Sequence, residues 1–239
     1  MQDLPVRPLN DPQQYDDLAD AWWDPRGRFA MLHWISAARA RLVPEGTGVL
    51  VDLACGAGLL APHVAGKGYR HVGLDLSPTA LPQARAHGVV PVRADVTRLP
   101  LRDAVADVVV AGEVLEHVRD PASLVREACR VLKPGGTLVL DTIADTWWGR
   151  FSAVTVAERV PGGPPPRLHD PALFVDRDEV VRAAREGGVE LRLTGLRPSA
   201  RDYLAWLARR REGVRMRPTR VTAGLFQAAG TKSRAPDPR

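Results

Sequence analysis

From Gly48 onward, short apolar runs alternate with stretches of helical periodicity, and this alternation restricts the fold more than any other feature of the chain. The apolar runs read GVLVDLA, HVGLDL, GVVPVRA, VADVVVAG and GGTLVLDT, and the stretches between them end at Gly or Pro. Strands that alternate with helices form a parallel sheet, because each helix carries the chain back across it. We therefore predict an α/β fold with a mostly parallel sheet and helices on both faces.

The remaining segments set the expected domain organisation. A helix at residues 177–186, a strand in VELRLTGLRP, a short helix in RDYLAWLARR and a last strand in TRVTAGLFQA bring the strands to seven. Residues 1–47 are predicted to form an N-terminal helical cap and residues 48–230 the sheet domain, with a lid insertion at about 145–175 that we expect to be mobile because of its prolines. Residues 231–239 are expected to be a disordered tail.

Composition limits the classes of function. No apolar run approaches the roughly 18 residues that span a bilayer, the first residues lack a signal-peptide pattern, and two cysteines are too few for a disulfide framework. These features favour a soluble, cytoplasmic protein. The net charge of +5 comes mostly from scattered arginines, and we interpret their densest run, RRREGVRMRPTR, as a solvated face. No nucleic-acid partner is expected, and the oligomeric state is left open.

A glycine turn follows the first predicted strand. Gly56, Gly58 and Ala61 fit the pattern G-x-G-x-x-A, and Asp75 ends the second strand. Glycines let a ligand touch the backbone, a helix N-terminus offers free N–H groups, and a carboxylate accepts from ribose hydroxyls. By itself this pattern fits either a nicotinamide dinucleotide or another adenosine ligand.

Two further acids favour a methyl donor. Asp52 directly precedes the turn, where it would repel a pyrophosphate but could hold the cationic amino-acid end of S-adenosylmethionine, directly or through water. Asp95 follows the third strand and could accept from the adenine amino group. Acids at three successive strand ends therefore suit a ligand that carries an ammonium, a ribose and an adenine, and they disfavour a nicotinamide oxidoreductase.

A third group of polar residues follows the fourth strand. In EVLEH, Glu113, Glu116 and His117 have the spacing i, i+3 and i+4, which places them on one face of a helical turn. They could bind a divalent ion that acidifies an acceptor hydroxyl, or His117 could act as a general base. The same turn could instead serve capping and acceptor contacts. His169, in the lid, could reach this site or stay exposed.

The motifs VDLACGAG, GLDLS, ADVTRLP, GEVLEHVRDP and LKPGG occur in this order between Gly48 and Asp141, and together they resemble the class I S-adenosylmethionine-dependent methyltransferases. The resemblance implies a Rossmann-like seven-stranded fold and S-adenosylhomocysteine as product. It implies cofactor contacts at the following positions: Asp52, Ala54, Cys55, Gly56, Gly58, Asp75, Leu76, Asp95, Val96 and Gly112.

A narrower resemblance rests on WWDPRGRFAMLHWISAAR, EVLEHVRDP, HDPALFV and TGLRP, which are similar to the ubiquinone-biosynthesis O-methyltransferases. It implies methylation of a catechol-like hydroxyl on a small aromatic or polyprenylated acceptor, a cofactor contact from Arg39, and Mg²⁺ at Glu113, Glu116 and His117. An N- or C-methyltransferase of secondary metabolism and a non-catalytic cofactor-binding regulator remain as alternatives.

A polyprenylated acceptor would bring the lid to a membrane. The apolar residues Trp147, Trp148, Phe151 and Val154, with Arg150 and Arg159, would then make peripheral contact with anionic lipid on the inner face of the cell membrane. These aromatic side chains could instead cover the acceptor pocket.

Overall fold

The computed structural model describes residues 7–234 and contains one eight-stranded sheet. Its strands are β1 (Gly48–Leu53), β2 (Tyr69–Asp75), β3 (Val90–Arg93), β4 (Ala106–Gly112), β5 (Leu132–Ile143), β6 (Arg192–Pro198), β7 (Met216–Thr219) and β8 (Leu225–Thr231). The order across the sheet is β3-β2-β1-β4-β5-β8-β6-β7. The first five strands pair in parallel, whereas β8 runs antiparallel to β5 and β6.

The helices are α1 (Gln13–Asp17), α2 (Ala30–Arg39), α3 (Ala61–Val64), α4 (Ala80–Ala86), α5 (Pro121–Val131), α6 (Trp147–Arg150), α7 (Arg177–Glu186) and α8 (Ala200–Leu207). Successive residues of a central strand contribute to different apolar clusters, as the pleat requires. Val109 packs in the cluster that contains α5 and α7, whereas Val108 and Val110 pack with Leu60 and Val64 on the other side. Both faces of the sheet are thus buried, and the α/β prediction is confirmed.

One strand more than predicted is present. β7 lies within the arginine-rich run interpreted as a solvated face, and it pairs antiparallel with β6 as an edge strand. Pro218 is acceptable there because an edge strand needs only one side of its backbone for pairing. Two arginines of this run, Arg211 and Arg215, pair with the buried carboxylate of Asp202, so the run is not wholly a solvated face.

The ordered chain extends beyond residue 230, where a disordered tail was expected. Thr231 ends β8, the Lys232 N–H donates to the Gly136 carbonyl, and the Ser233 N–H donates to the Gly188 carbonyl. The first of these bonds holds the chain against β5, and the second holds it against the turn that follows α7. The rest of the predicted tail, residues 235–239, lies outside the described residues.

The lid insertion is helical over about half of its length, and its proline-rich part, where a loop was expected, has no helix at residues 160–170. Beyond α6 it continues as a π-helical segment, Phe151–Val156, and a 3-10 turn, Ala157–Arg159. The lid contacts the N-terminal segment, which comprises residues 7–47. The backbone carbonyl of Arg167 accepts from the Asn10 N–H at 3.4 Å and from Gln14 Nε2 at 3.1 Å. No helix in residues 7–234 has both the length and the apolar character needed to cross a bilayer.

Candidate active site at the carboxyl edge of the sheet

A cavity of about 520 Å³ opens at the edge where the parallel strands end. Most of the predicted site residues line it: Arg39, Asp52, Ala54, Cys55, Gly56, Asp75, Leu76, Asp95, Val96, Gly112, Glu113 and His117. Gly58 and Glu116 do not contribute to its wall. The N-terminal segment closes the other side through residues including Asn10, Tyr15 and Trp22.

The glycine turn adopts the left-handed backbone that the sequence pattern requires. Gly56 has φ +52° and Gly58 has φ +84°, and Ala54 shares this conformation at φ +55°. A Cβ on Gly56 would lie 2.7 Å from the ring of Trp22 on the cavity wall. A Cβ on Gly58 would instead meet the Ala84 backbone at 3.0 Å. Gly58 therefore lets the turn pack against α4 and does not contribute to the cavity wall, and a cofactor contact from it stays a prediction.

Asp75 holds the turn from the end of β2. Its Oδ2 accepts from the Gly56 N–H and its Oδ1 accepts from the Ser77 N–H, both at 2.8 Å. Burial raises the pKa of this carboxyl, although the backbone hydrogen bonds oppose the shift. The same carboxylate that faces the cavity thus also fixes the backbone on which a ligand would rest.

The other two strand-end acids are also held by neighbours. Asp52 is almost fully buried, and its Oδ2 lies 3.1 Å from His71 Nε2 on the adjacent strand. Asp95 Oδ1 accepts from the Thr97 N–H at 2.8 Å and from the Thr97 hydroxyl at 2.7 Å. Each carboxylate therefore has a fixed orientation at the cavity wall before any ligand arrives.

Arg39 forms the most deeply buried ion pair of the site. Its Nε and Nη2 donate to the two carboxylate oxygens of Asp141, each at 2.6 Å, in a bidentate arrangement. Gly112 faces the guanidinium, and any side chain there would collide with it. Arg39 lines the cavity as predicted, and its guanidinium is paired there with Asp141. A cofactor contact from Arg39 stays a prediction.

Glu113 begins the segment that follows β4. It has φ +51°, an uncommon conformation for a residue with a side chain. Its Oε1 is buried and lacks a hydrogen-bond partner among the described residues. Burial, and after it the charge of Glu116, raises the pKa of Glu113 well above its ordinary value. The cavity therefore contains a carboxyl group that holds its proton at unusually high pH.

The left-handed residue changes the direction of the side chains after it. Leu115–His117 form only a 3-10 turn, so the helical spacing expected for EVLEH does not develop. Glu116 turns into the core, where its Oε2 accepts from the Thr142 hydroxyl at 2.7 Å, while His117 faces the cavity. The prediction that all three side chains share one face is therefore wrong for Glu116.

Both ring nitrogens of His117 have partners from the N-terminal segment. Nδ1 lies 2.5 Å from Asn10 Oδ1, and Nε2 lies 3.1 Å from the Tyr15 hydroxyl. Since an amide oxygen can only accept, we assign the proton to Nδ1. Burial lowers the pKa of His117 to about 3, so the ring is neutral at neutral pH. Asn10 and Tyr15 were missed because they lie over 100 residues away in sequence.

The magnesium site expected at Glu113, Glu116 and His117 is not assembled. In residues 7–234, the cluster with metal-ligand spacing consists of Glu116, His117 and His169, whose donor atoms lie within 4.8 Å of one another. Two imidazoles and one carboxylate suit a transition metal, because Mg²⁺ prefers oxygen ligands. Both nitrogens of His117 are also already engaged. These residues do not fit Mg²⁺.

Comparison with known proteins agrees with this geometry. Residues 51–140 match a family model described as a methyltransferase domain. A ubiquinone biosynthesis O-methyltransferase of Thiobacillus denitrificans is 37% identical over 195 residues, covering 77% of this chain and 84% of the relative. The enzyme of the same description from Leptothrix cholodnii is 33% identical, covering 82% and 89%.

Solved structures share the fold. A structure from Thermotoga maritima, described as an S-adenosylmethionine-dependent methyltransferase and a possible histamine N-methyltransferase, superposes with a TM-score of 0.66 at 23% identity, covering 92% of this chain and 97% of that one. At this identity the likeness speaks only for the fold. Together with the curated relatives, it establishes that the chain is an S-adenosylmethionine-dependent methyltransferase and belongs to the family of the ubiquinone biosynthesis O-methyltransferases.

Proposed function

We propose that this enzyme methylates a hydroxyl of a catechol-like aromatic ring, such as a quinone precursor. The observation that supports this most is that one cavity contains both the cofactor-type acids and the neutral imidazole of His117. The names of the curated relatives point to the same chemistry. A cavity of about 520 Å³ is of ordinary size for small-molecule sites, which enclose roughly 300–1,000 Å³.

The residues present fit the cofactor. The cradle at Gly56 admits a ligand against the backbone, Asp75 would accept from ribose hydroxyls, Asp95 would accept from the adenine amino group, and Asp52 would face the ammonium. S-adenosylmethionine supplies an activated methyl group, and S-adenosylhomocysteine is the product. The protein's contribution is to orient the acceptor, which in favourable cases lowers a barrier by about 7–11 kcal/mol.

His117 is suited to take the proton of the acceptor hydroxyl. A methyl group added to a neutral hydroxyl oxygen produces an oxonium, which is a far stronger acid than an imidazolium. A buried imidazole of low basicity is therefore sufficient, provided that it is neutral and correctly aimed. Because the ligand set does not fit Mg²⁺, we propose that turnover needs no magnesium.

We also propose that the lid meets a membrane when the acceptor is polyprenylated. Trp147 is 75% exposed and Trp148 47% exposed, and the Trp147 ring stacks on Phe151 at 5.5 Å between centroids. Val154 packs inward beside Phe174 and therefore does not contribute to this surface. Aromatic side chains favour the lipid interface, and a basic neighbour adds attraction to anionic lipid. Arg159, which donates to backbone carbonyls, can supply this charge, whereas Arg150 is paired with Asp145. The lid residues do not line the cavity, which argues against their use as a pocket cover.

An acceptor screen tests the reaction. Purified enzyme is given labelled S-adenosylmethionine with a vicinal diphenol, its mono-O-methyl ether, an aromatic amine and an enolizable ring. We expect transfer to the diphenol oxygen, unchanged by chelator. Transfer only to nitrogen or carbon would establish another acceptor class, and loss of turnover with chelator that Mg²⁺ restores would contradict the magnesium-free reaction.

Liposome co-sedimentation tests the membrane proposal. The wild-type protein should sediment with vesicles that contain anionic lipid, and the double variant Trp147→Ser, Trp148→Ser should not. Leu204→Ser is a matched control, because Leu204 is 66% exposed but lies on α8. Equal sedimentation of the wild type and the double variant would exclude the lid as the contact.

A further inference from the structure

The side chain of His117 is held from both sides by the N-terminal segment. Asn10 makes two contacts, because its Oδ1 lies 2.5 Å from His117 Nδ1 and its Nδ2 donates to the His117 backbone carbonyl at 3.0 Å. Tyr15 places its hydroxyl 3.1 Å from Nε2, on the opposite side of the ring. All three residues line the cavity.

We propose that Asn10 is a positioning residue that locks His117 in the Nδ1–H tautomer, and that Tyr15 relays the acceptor's proton to His117 Nε2. This inference rests on the proposed function, since it completes the base of that reaction. Neither residue belongs to the glycine turn, the strand-end acids or the segment after β4. They join the site only because the N-terminal segment folds back over the strand ends.

The backbone conformation of Asn10 supports its contacts with His117. Asn10 has φ +55°, in the left-handed region that asparagine tolerates better than most residues. Its N–H donates to the Arg167 carbonyl at 3.4 Å, so the lid fixes the backbone of Asn10. With the backbone held on one side and His117 on the other, the amide oxygen has one orientation available. That orientation favours a proton on Nδ1 and leaves the Nε2 lone pair free to accept.

Tyr15 is held rigidly enough to act as a relay. Its ring stacks on Trp22 and Phe29, with centroids 5.7 and 6.1 Å apart. The hydroxyl points at Nε2, so it donates there and can accept a proton from an acceptor in the cavity. As the acceptor oxygen gains the methyl group, its proton passes to the Tyr15 oxygen while the Tyr15 proton passes to Nε2. The imidazolium then returns its proton to water after the methylated product leaves.

The tautomer can be tested without any turnover. Nitrogen-15 NMR of histidine-labelled protein identifies which ring nitrogen of His117 carries the proton. We expect the Nδ1–H form in wild type and in Asn10→Asp, which retains an acceptor oxygen. We expect a mixture in Asn10→Gly, a variant that keeps the left-handed backbone but removes the side chain. A dominant Nδ1–H tautomer in Asn10→Gly would overturn the role of Asn10.

Kinetics test the relay. Tyr15→Phe should lower kcat about 10-fold or more. Complete loss of a proton-transfer group costs roughly 100-fold or more when no other group replaces it. KM for S-adenosylmethionine should stay within about 3-fold, since the ring stack is kept. Tyr203→Phe is the matched control, because that hydroxyl donates to the Pro161 carbonyl and does not line the cavity.

The two arms separate this inference from the proposed function. Wild-type kcat in Tyr15→Phe would overturn the relay, whereas an inactive wild type with an intact Nδ1–H signal would count against the proposed reaction alone. Calorimetric titration with S-adenosylhomocysteine confirms that each variant is folded before it is compared. Asn10→Gly should also lower kcat about 10-fold, the factor that one hydrogen bond of ordinary strength carries.

Discussion

Gly112 leaves the space that the guanidinium of Arg39 occupies. A Cβ at Gly112 would collide with Arg39, whose Nε and Nη2 are bound to Asp141. The absence of a side chain at the end of β4 therefore lets the buried guanidinium lie directly against the backbone of Gly112. The nearby carboxylates make this cation part of the electrostatic balance of the site, because Asp52, and Glu113 whenever its carboxyl is ionised, lie close enough to favour its charge.

We expect Gly112→Ala to destabilise the fold by about 3 kcal/mol or more, because it separates a buried ion pair. Urea unfolding measures the change. Gly66→Ala is the control, since a Cβ there meets no atom within 4 Å and should alter stability by less than about 0.5 kcal/mol. Equal effects of the two substitutions would show that Arg39 moves aside without cost.

The affinity for S-adenosylhomocysteine should fall as the pH decreases. Burial raises the pKa of Asp75, so its carboxyl gains a proton at a pH above the ordinary value of 3.8 and loses the charge that strengthens its hydrogen bonds from ribose hydroxyls. Asp75→Asn should weaken binding by about 1–3 kcal/mol at neutral pH and remove this pH dependence. Calorimetry across the range checks both, and a variant that kept the wild-type pH profile would point to another titrating group.

Alanine at Gly56 and at Gly58 should have different consequences. Both positions have positive φ, so each substitution costs roughly 1–2 kcal/mol in backbone strain. At Gly58 the new methyl group presses on the α4 backbone, and stability suffers further. At Gly56 it presses on Trp22 in the cavity, and ligand affinity suffers more than stability. Thermal unfolding measures the loss of stability and calorimetry the loss of ligand affinity. If the two variants lost stability and affinity in the same proportion, this assignment would be refuted.

Acid should destabilise the protein partly through His117. Its pKa is near 3 in the folded protein and near 6.5 in an unfolded chain, so the unfolded state binds one more proton between these values. Stability therefore falls as pH decreases through this window, by about 1.4 kcal/mol per pH unit from this group. Burial raises the pKa of Glu113 and Glu116, which makes their contributions fall in the opposite direction, as pH rises.

Substitution isolates the contribution of His117. In His117→Gln, the slope of unfolding free energy against pH between about 4 and about 6 should be less positive than in wild type. The difference should correspond to close to one proton. Denaturant titrations at several pH values measure it. An unchanged slope would mean that His117 is already charged in the folded state.

The fold was readable from the sequence because the apolar runs of β1, β4 and β5 are buried on both faces. β7 was missed because its residues, Met216–Thr219, include an arginine and a proline that carry no strand pattern. Its existence depends on pairing with β6, and on Asp202 attracting Arg215 at the preceding position. Both are tertiary effects.

Part of the site was readable for the same reason. Asp52 and Asp75 lie at the carboxyl ends of β1 and β2, and strand ends share one edge, so their convergence on the cavity was predictable. The direction of Glu116 was not, because it depends on the left-handed backbone of Glu113. The contacts of Asn10 with His117 join segments that no local pattern connects.

The carbonyl of Arg167 accepts two hydrogen bonds from the N-terminal segment, and its side chain donates a third to the Arg7 carbonyl at 3.0 Å. These bonds share one residue, so they break together when the segment lifts away from the lid. If cofactor exchange requires the segment to lift away from the lid, it would therefore proceed through discrete openings, and the frequency of those openings would set an upper limit on the turnover rate.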